Sequence, residues 1–303
     1  MRVLLIPDSF GWAYDNYARG LKGYSKHDIT IIAGYPKDGL TPEIINAHDL
    51  IFCFSRTIWN AFKPNIRELI SNKPNVMWCC GSSFGVPPTS VDRYAVCTER
   101  LLGKARKIGV ENAVLLREGV DSAVYKPRKK SRGKSLRVGW VGNAKSKRKR
   151  AHLLKLLDYP VRTMQNHDKK FRVKNRKREP MVNFYNSIDV YVTLMRQNGA
   201  HGIGRTLLEA MSCGCPVVAT DITSAFKVVP REWLIPAEPD EVAVKEMNDK
   251  LRLLNESRDL LTRVGDRNRQ FILDNYSWKI IAEDWDQLFG EVALRGIYAK
   301  TRG

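Results

Sequence analysis

A histidine, two glycines and a glutamate define the chemistry this chain could perform. They stand in the run His201-Gly202-Ile203-Gly204, with Glu209 five residues beyond the second glycine. Glycines let a backbone approach a ligand closely, and a helix starting just after them offers free N–H groups to an anion. Arg205 and Thr206 come directly after the second glycine. Glu209 falls one to two turns into such a helix, where a carboxylate can accept hydrogen bonds from the adjacent hydroxyls of a sugar.

One βαβ unit must position these groups. Val190 to Leu194 is a β-rich apolar run that ends in the polar loop before His201. Leu207, Leu208 and Met211 then fall at helical spacing. Cys213-Gly214-Cys215-Pro216 stops that helix, and Val217 to Thr220 begins another strand. A lone Gly-x-Gly would read as a structural turn before a helix with one exposed glutamate. This stretch is longer and more specific.

It resembles the donor-binding core of GT-B glycosyltransferases, especially the retaining enzymes of family 4. Their pattern runs Glu-Gly-Phe-Gly, four residues, then Glu-Ala-Met-Ala-x-Gly-x-Pro-Val-Val-Ala. Gly202, Gly204, Glu209, Ala210, Met211, Gly214, Pro216, Val217, Val218 and Ala219 fall in register, and His201 replaces the first Glu. Leu115 to Asp121 with Val124 to Pro127 is similar to the family's Asn-Gly-Val-Asp-x-x-x-Phe-x-Pro segment. Leu136 to Asn143 looks like the first strand of the donor domain, with Asn143 in place of an Arg after Gly142. Lys147 and Arg148 are the nearest matches to a downstream Lys of the family.

The resemblance implies a GT-B α/β fold, two Rossmann-like, doubly wound parallel-sheet domains facing a central cleft. Residues 1–125 would form the acceptor-side domain and residues 126–280 the nucleotide-sugar domain, with a helix over 281–303 crossing back to the first. The implied donor site comprises Gly11, Gly142, Asn143, Lys147, Arg148, Gly202, Ile203, Gly204, Arg205, Thr206 and Glu209. Glu209 would hold the ribose hydroxyls and His201 would lie by the transferred sugar, these two being the catalytic pair. The co-substrate would be a nucleotide-diphosphate sugar, with retention by same-face attack and with no cofactor or metal required.

Strand and helix patterns alternate in the first half, as a parallel sheet requires. Val3 to Ile6, Ile29 to Ala33, Leu50 to Phe54, Val76 to Cys80 and Ala95 to Thr98 read as strands. Asn16 to Gly23, Ile58 to Ile70 and Glu99 to Lys107 read as helices. In the second half Val138 to Val141, Phe171 to Val173, Phe226 to Val229 and Leu234-Ile235 read as strands. Glu241 to Leu254 and Glu256 to Asn275 read as helices. Tyr276-Ser277-Trp278, with Ala282, Trp285, Leu288 and Phe289, resembles the family's final Phe-Ser-Trp helix.

Charge is the other signal. The chain carries a formal net charge of +19, and residues 126–180 hold 21 Lys and Arg against 3 Asp and Glu. The clusters at Lys145 to Arg150 and Lys169 to Arg178 come after expected strands, which would place them at the ligand-binding edge of a parallel sheet. A diphosphate needs about two neutralising charges, whereas a polyanion would use many. Lys145, Lys149, Arg150, Lys174, Arg176, Lys177 and Arg178 are therefore candidate acceptor contacts, with hydroxylated DNA as the favoured acceptor, as in viral DNA glycosyltransferases. Trp12, Tyr14, Phe84 and Trp140 lie near the same edges and could stack on a base. An anionic membrane surface, an enzyme of polysaccharide or glycolipid assembly, and a non-enzymatic nucleic-acid-binding scaffold are the alternatives.

Composition excludes other classes. No run approaches the roughly 18 apolar residues of a membrane span, and none of the six cysteines forms a Cys-x-x-Cys. Met1 leads directly into a strand pattern, without the look of a signal peptide. A cytoplasmic protein with reduced, buried thiols is the expectation, in a host cytoplasm if the chain is viral.

Overall fold

The apolar runs Val3 to Ile6, Leu50 to Cys53 and Val76 to Cys79 are buried on both faces, the condition under which parallel strands form the middle layer of a sheet. The computed structural model describes residues 1–300 apart from residue 12 and residues 34–38, 82–83, 129–134, 166–177, 197–202, 223–224 and 226; for residues 295–300 only the backbone is described. Six strands, β1 (Arg2–Ile6), β2 (Asp28–Ile31), β3 (Leu50–Cys53), β4 (Asn75–Cys79), β5 (Arg93–Val96) and β6 (Ala113–Leu115), lie in the order β2-β1-β3-β4-β5-β6. All are parallel. The order reverses between β1 and β3, the topological switch point of a doubly wound sheet.

The helices of this sheet are α1 (Ala13–Lys22), α2 (Pro42–Asn46), α3 (Arg56–Ala61), α4 (Pro64–Ser71) and α5 (Glu99–Lys107). Local chemistry sets their ends. The Thr98 side chain accepts the Leu101 N–H at the start of α5, and Ser55 does the same for Ile58 at the start of α3, each a favourable N-cap. The single helix expected over Ile58 to Ile70 is two, because Pro64 cannot supply an N–H to a continuing helix and instead opens α4 at its first turn.

The second sheet comprises β7 (Val138–Gly142), β8 (Val161–Gln165), β9 (Val190–Thr193), β10 (Val217–Thr220) and β11 (Leu234–Ile235), in the order β11-β10-β9-β7-β8, again all parallel. Around it pack α6 (Glu179–Ser187), α7 (Arg205–Ser212), α8 (Asp240–Glu256) and α9 (Arg258–Asn275). Two 3-10 turns, Lys147–Lys149 and Ala151–Leu156, lead from β7 towards β8. The strand expected over Phe171 to Val173 lies outside the described residues; the edge strand of the described sheet, next to β7, is β8. The strand expected over Phe226 to Val229 is not formed by its described part, because the Val228 and Val229 amides both turn back to the Ala225 carbonyl.

The last helix, α10 (Trp278–Lys300), belongs to the first sheet. Ile281, Trp285, Phe289 and Val292 are buried in that sheet's core. Residues 1–119 and 278–303 thus form one compact unit, and most of 120–277 forms the other. These boundaries differ from 125 and 280 for a packing reason: the Trp278 indole lies within 2.0 Å of where a Cβ on Gly20 would sit and 2.7 Å of one on Gly119. Both glycines and the tryptophan are locked into the first unit. No helix among the described residues is long and apolar enough to cross a membrane.

Candidate functional site

The site in the second unit is built where β7 ends and α7 begins. Gly204 has φ +100, a conformation glycine adopts readily and other residues do not. It opens α7 without any side-chain cap, and a Cβ placed on it would meet nothing within 4 Å. Gly204 thus brings no side-chain oxygen to the start of α7, whose positive dipole end favours an anion.

Three cations converge near it. The Lys149 side chain folds back across Gly142, whose missing Cβ would lie 2.6 Å from the Lys149 Nζ. The amine sits 5.8 Å from the Trp140 ring centroid and donates to the Val141 carbonyl at 3.5 Å. Burial, with the charges of Arg148 and Arg205 nearby, lowers its pKa from the ordinary 10.5 to about 8. Burial likewise holds the Arg148 guanidinium below its ordinary value, and the Arg148 Nη1 is buried with no hydrogen-bond partner among the described residues. Lys149 and Arg148, desolvated near Arg205 of α7, are cations that an anion would stabilise.

Glu209, on α7, is 1% exposed. One oxygen accepts the Tyr185 hydroxyl at 3.0 Å and the other pairs with Arg205 Nε at 3.2 Å. Burial first, then the Glu209 charge, raises the Tyr125 and Tyr185 phenols well above their ordinary value. The carboxylate is thus held in place by two buried tyrosines and an arginine, rather than standing open at the surface. Sequence reasoning misses Tyr125 and Tyr185; the only signal is the Tyr at 125, where the related pattern has Phe.

Other expected donor residues take different roles. Asn143 Oδ1 accepts the Lys145 N–H at 3.0 Å, so this side chain shapes the turn after β7. Ile203 is 8% exposed and packs in the core of the second unit, leaving only its backbone for a ligand. Thr206 Oγ1 accepts the Tyr191 hydroxyl at 3.0 Å. Lys147 is exposed, so the lysine drawn in over β7 is Lys149, two residues on. Gly11 lies in the first unit, at φ +84, and donates its N–H to Asp15 at 2.8 Å, opening α1. His201 and Gly202 lie outside the described residues.

The nucleic-acid contacts need correction. Arg150 is 1% exposed and its guanidinium is spent on backbone carbonyls and Asp240. Arg178 pairs with Asp121. Lys149 belongs to the buried cluster beside α7. Arg128 and Arg137 of the same basic stretch pair with Glu179 and Asp189. Lys145 is exposed, as a surface contact requires, whereas Lys174, Arg176 and Lys177 lie outside the described residues. Of the stacking candidates, Tyr14 and Trp140 are buried in their cores, Phe84 is half-buried and packs against that of the first unit, and Trp12 lies outside the described residues.

The chain is similar to known proteins in sequence and in fold. Residues 116–252 match the family described as glycosyl transferases group 1. That span lies almost wholly in the second unit, from the end of β6 into α8. A phosphatidyl-myo-inositol mannosyltransferase of Propionibacterium freudenreichii is 29% identical over 117 residues, and the match spans 38% of this chain and 29% of that protein. A glycosyltransferase from Rickettsia africae is similar in structure, with a TM-score of 0.71 and 14% identity, over 96% of this chain and 98% of that one. HepE of Anabaena, solved with UDP and glucose, gives 0.67 at 13% identity, over 95% and 99%. Sucrose-phosphate synthase of Thermosynechococcus elongatus gives 0.68 at 12%, over 96% and 98%. At such identities the likeness is one of fold, and the fold is GT-B.

Proposed function

We infer, from the group 1 glycosyltransferase domain on residues 116–252, that the protein transfers a sugar from a nucleotide-diphosphate sugar to a hydroxyl acceptor. The observation that carries this reading is the buried, unpartnered Nη1 of Arg148 beside the depressed Lys149 amine. A diphosphate would satisfy both, and the α7 N-terminus and Arg205 would share its charge. Glu209, turned from Arg205 towards the ligand, would accept the ribose hydroxyls.

In the reaction, the bond between the anomeric carbon and the phosphate oxygen breaks as the acceptor oxygen bonds to the same carbon. With attack from the face the phosphate leaves, configuration is retained and the acceptor proton passes to the departing phosphate oxygen. The cations stabilise the charge that builds on that oxygen, the electrostatic contribution that matters most in such transfers. His201 would serve the transferred sugar as a hydrogen-bond donor or as a cation beside the leaving phosphate. Because cations of the chain supply the charge, turnover should survive a chelator.

A saccharide or glycolipid hydroxyl is the acceptor class this reading favours. Four of the eleven described basic residues of the 126–180 stretch, Arg128, Arg137, Arg150 and Arg178, are paired with carboxylates of the same chain, which leaves less positive charge for a polyanion. A hydroxylated DNA base is the second reading, favoured by the exposed Lys126, Lys145, Lys147, Lys155 and Arg162. It requires flipping the base from the duplex and binding whose log–log salt slope is about −0.9 per phosphate contacted.

Calorimetric titration with uridine and guanosine diphosphates, then a mass-spectrometric screen of sugar donors, tests the function. Binding of one nucleotide and hydrolysis or transfer from its sugar is the expected result. Binding of neither, with no donor consumed, would leave a scaffold protein instead. Flotation with anionic liposomes and salt-dependent DNA binding then separate the acceptors.

A further inference from the structure

Arg150 is the one non-glycine residue at positive φ among the described residues, at +43. A residue with a side chain holds that conformation only where its surroundings over-determine it. Its guanidinium supplies those surroundings. Nε donates to the Leu194 carbonyl at 2.6 Å, Nη1 to the Ala237 carbonyl at 2.6 Å and to Asp240 Oδ1 at 2.7 Å, and Nη2 reaches the Met195 carbonyl at 3.5 Å. Leu194 and Met195 follow β9 and lead towards the glycine loop, while Ala237 and Asp240 lead into α8. The left-handed turn at Arg150 reverses the chain directly after Lys149. A second tie runs parallel to it, from the Arg196 N–H to the Arg148 carbonyl at 3.0 Å.

We propose that Arg150 is a positioning residue, which clamps the Lys147–Lys149 turn to the loops after β9 and before α8 and so holds Arg148 and Lys149 against the start of α7. This role rests on the reading of that turn as a donor-phosphate site. A charged, fully buried side chain is costly to place inside a protein and costly to lose once paired. Its bonds here reach two other loops of the site rather than its own turn. The groups facing Lys149 are Arg148 on that turn and Arg205 on α7. A turn released from the clamp would let the lysine swing into water, away from both.

The test reads Lys149 directly. Lysine amines are labelled by reductive methylation with carbon-13, the Lys149 signal is assigned by its loss in Lys149→Met, and its titration is tracked by NMR. In Arg150→Met the Lys149 midpoint is expected to rise by at least ~1 pH unit, as desolvation is relieved. Uridine diphosphate affinity at neutral pH should fall at least about tenfold. Arg150→Lys should recover part of both effects, which an indifferent structural residue would not do. Should Arg150→Met fail to fold, Asp240→Asn weakens the same clamp and should move Lys149 in the same direction by less. If Lys149 keeps its midpoint to within ~0.3 unit in every folded variant, the positioning role is wrong, because relief of burial must move it. If wild type binds no uridine diphosphate while Lys149 still shifts, the clamp stands and the donor reading falls.

Discussion

Replacing Lys149 with methionine is expected to make the protein more stable and less able to hold a phosphate. The lysine amine is charged at pH 7 although its pKa has fallen from 10.5 to about 8. At 1.36 kcal/mol per unit, the folded state holds that charge at a cost of about 3 kcal/mol. Attraction to the Trp140 ring offsets roughly 0.5–1 kcal/mol that is also lost on substitution. Methionine takes the same path over Gly142 without the charge, so a net gain of about 2 kcal/mol is expected at pH 7. The sign with pH comes from proton linkage. Between about 8 and 10.5 the unfolded lysine keeps its proton while the folded one has lost it, so wild-type stability rises with pH across that window. Its full deficit is present below about 8. The advantage of the variant should therefore shrink towards zero by pH 10.5. Urea denaturation at pH 7 and pH 10.5 measures both points, and calorimetry with uridine diphosphate should register a loss of at least about tenfold in affinity. A variant less stable than wild type at pH 7, or an equal advantage at both pH values, would refute the desolvation argument.

Gly142→Ala places a methyl 2.6 Å from the Lys149 Nζ and 2.7 Å from its Cδ; the lysine should be expelled, and nucleotide affinity should drop as in Lys149→Met while circular dichroism stays native. Glu209→Ala strips the buried partner from Arg205 and Tyr185, so denaturation should show a loss of about 3 kcal/mol or more, and Glu209→Gln, which keeps an acceptor for Tyr185, should lose less. Gly119→Ala drives a methyl into the Trp278 ring; overpacking of this kind costs about 1–3 kcal/mol, measurable as a lower urea midpoint with unchanged nucleotide affinity in the second unit.

The parts of the fold legible in the sequence are those where burial and local punctuation coincide. β10 is an unbroken apolar run after a Gly-Cys-Pro stop, and α5 begins at a threonine cap; both are readable to the residue. β8 is not, because Val161–Gln165 is an edge strand whose exposed residues, Arg162, Thr163 and Gln165, follow no alternation. At the site, the glycine and the helix start can be read from Gly204 and the residues just after it. Which basic residues are free cannot. Arg150 finds Asp240 90 positions away and Arg178 finds Asp121 57 away; a local charge run contains no trace of such partners. The choice of Lys149 over Lys147 likewise depends on a left-handed turn that an arginine adopts where glycine would be expected.

The placement of Trp278 and α10 has a consequence for how the chain is made. The first unit needs Trp278, Trp285 and Phe289 to close the core around Phe52, Phe54 and Trp78. Its helix α10 also secures Asp286 against Ser25 and Lys26, near the opposite end of the chain. During synthesis, residues 1–119 leave the ribosome first and yet cannot complete their core. The second unit, whose sheet and helices are continuous from 120 to 277, has all of its parts earlier. In order of synthesis the second unit is therefore complete before the first, whose core lacks Trp278, Trp285 and Phe289 until α10 is made.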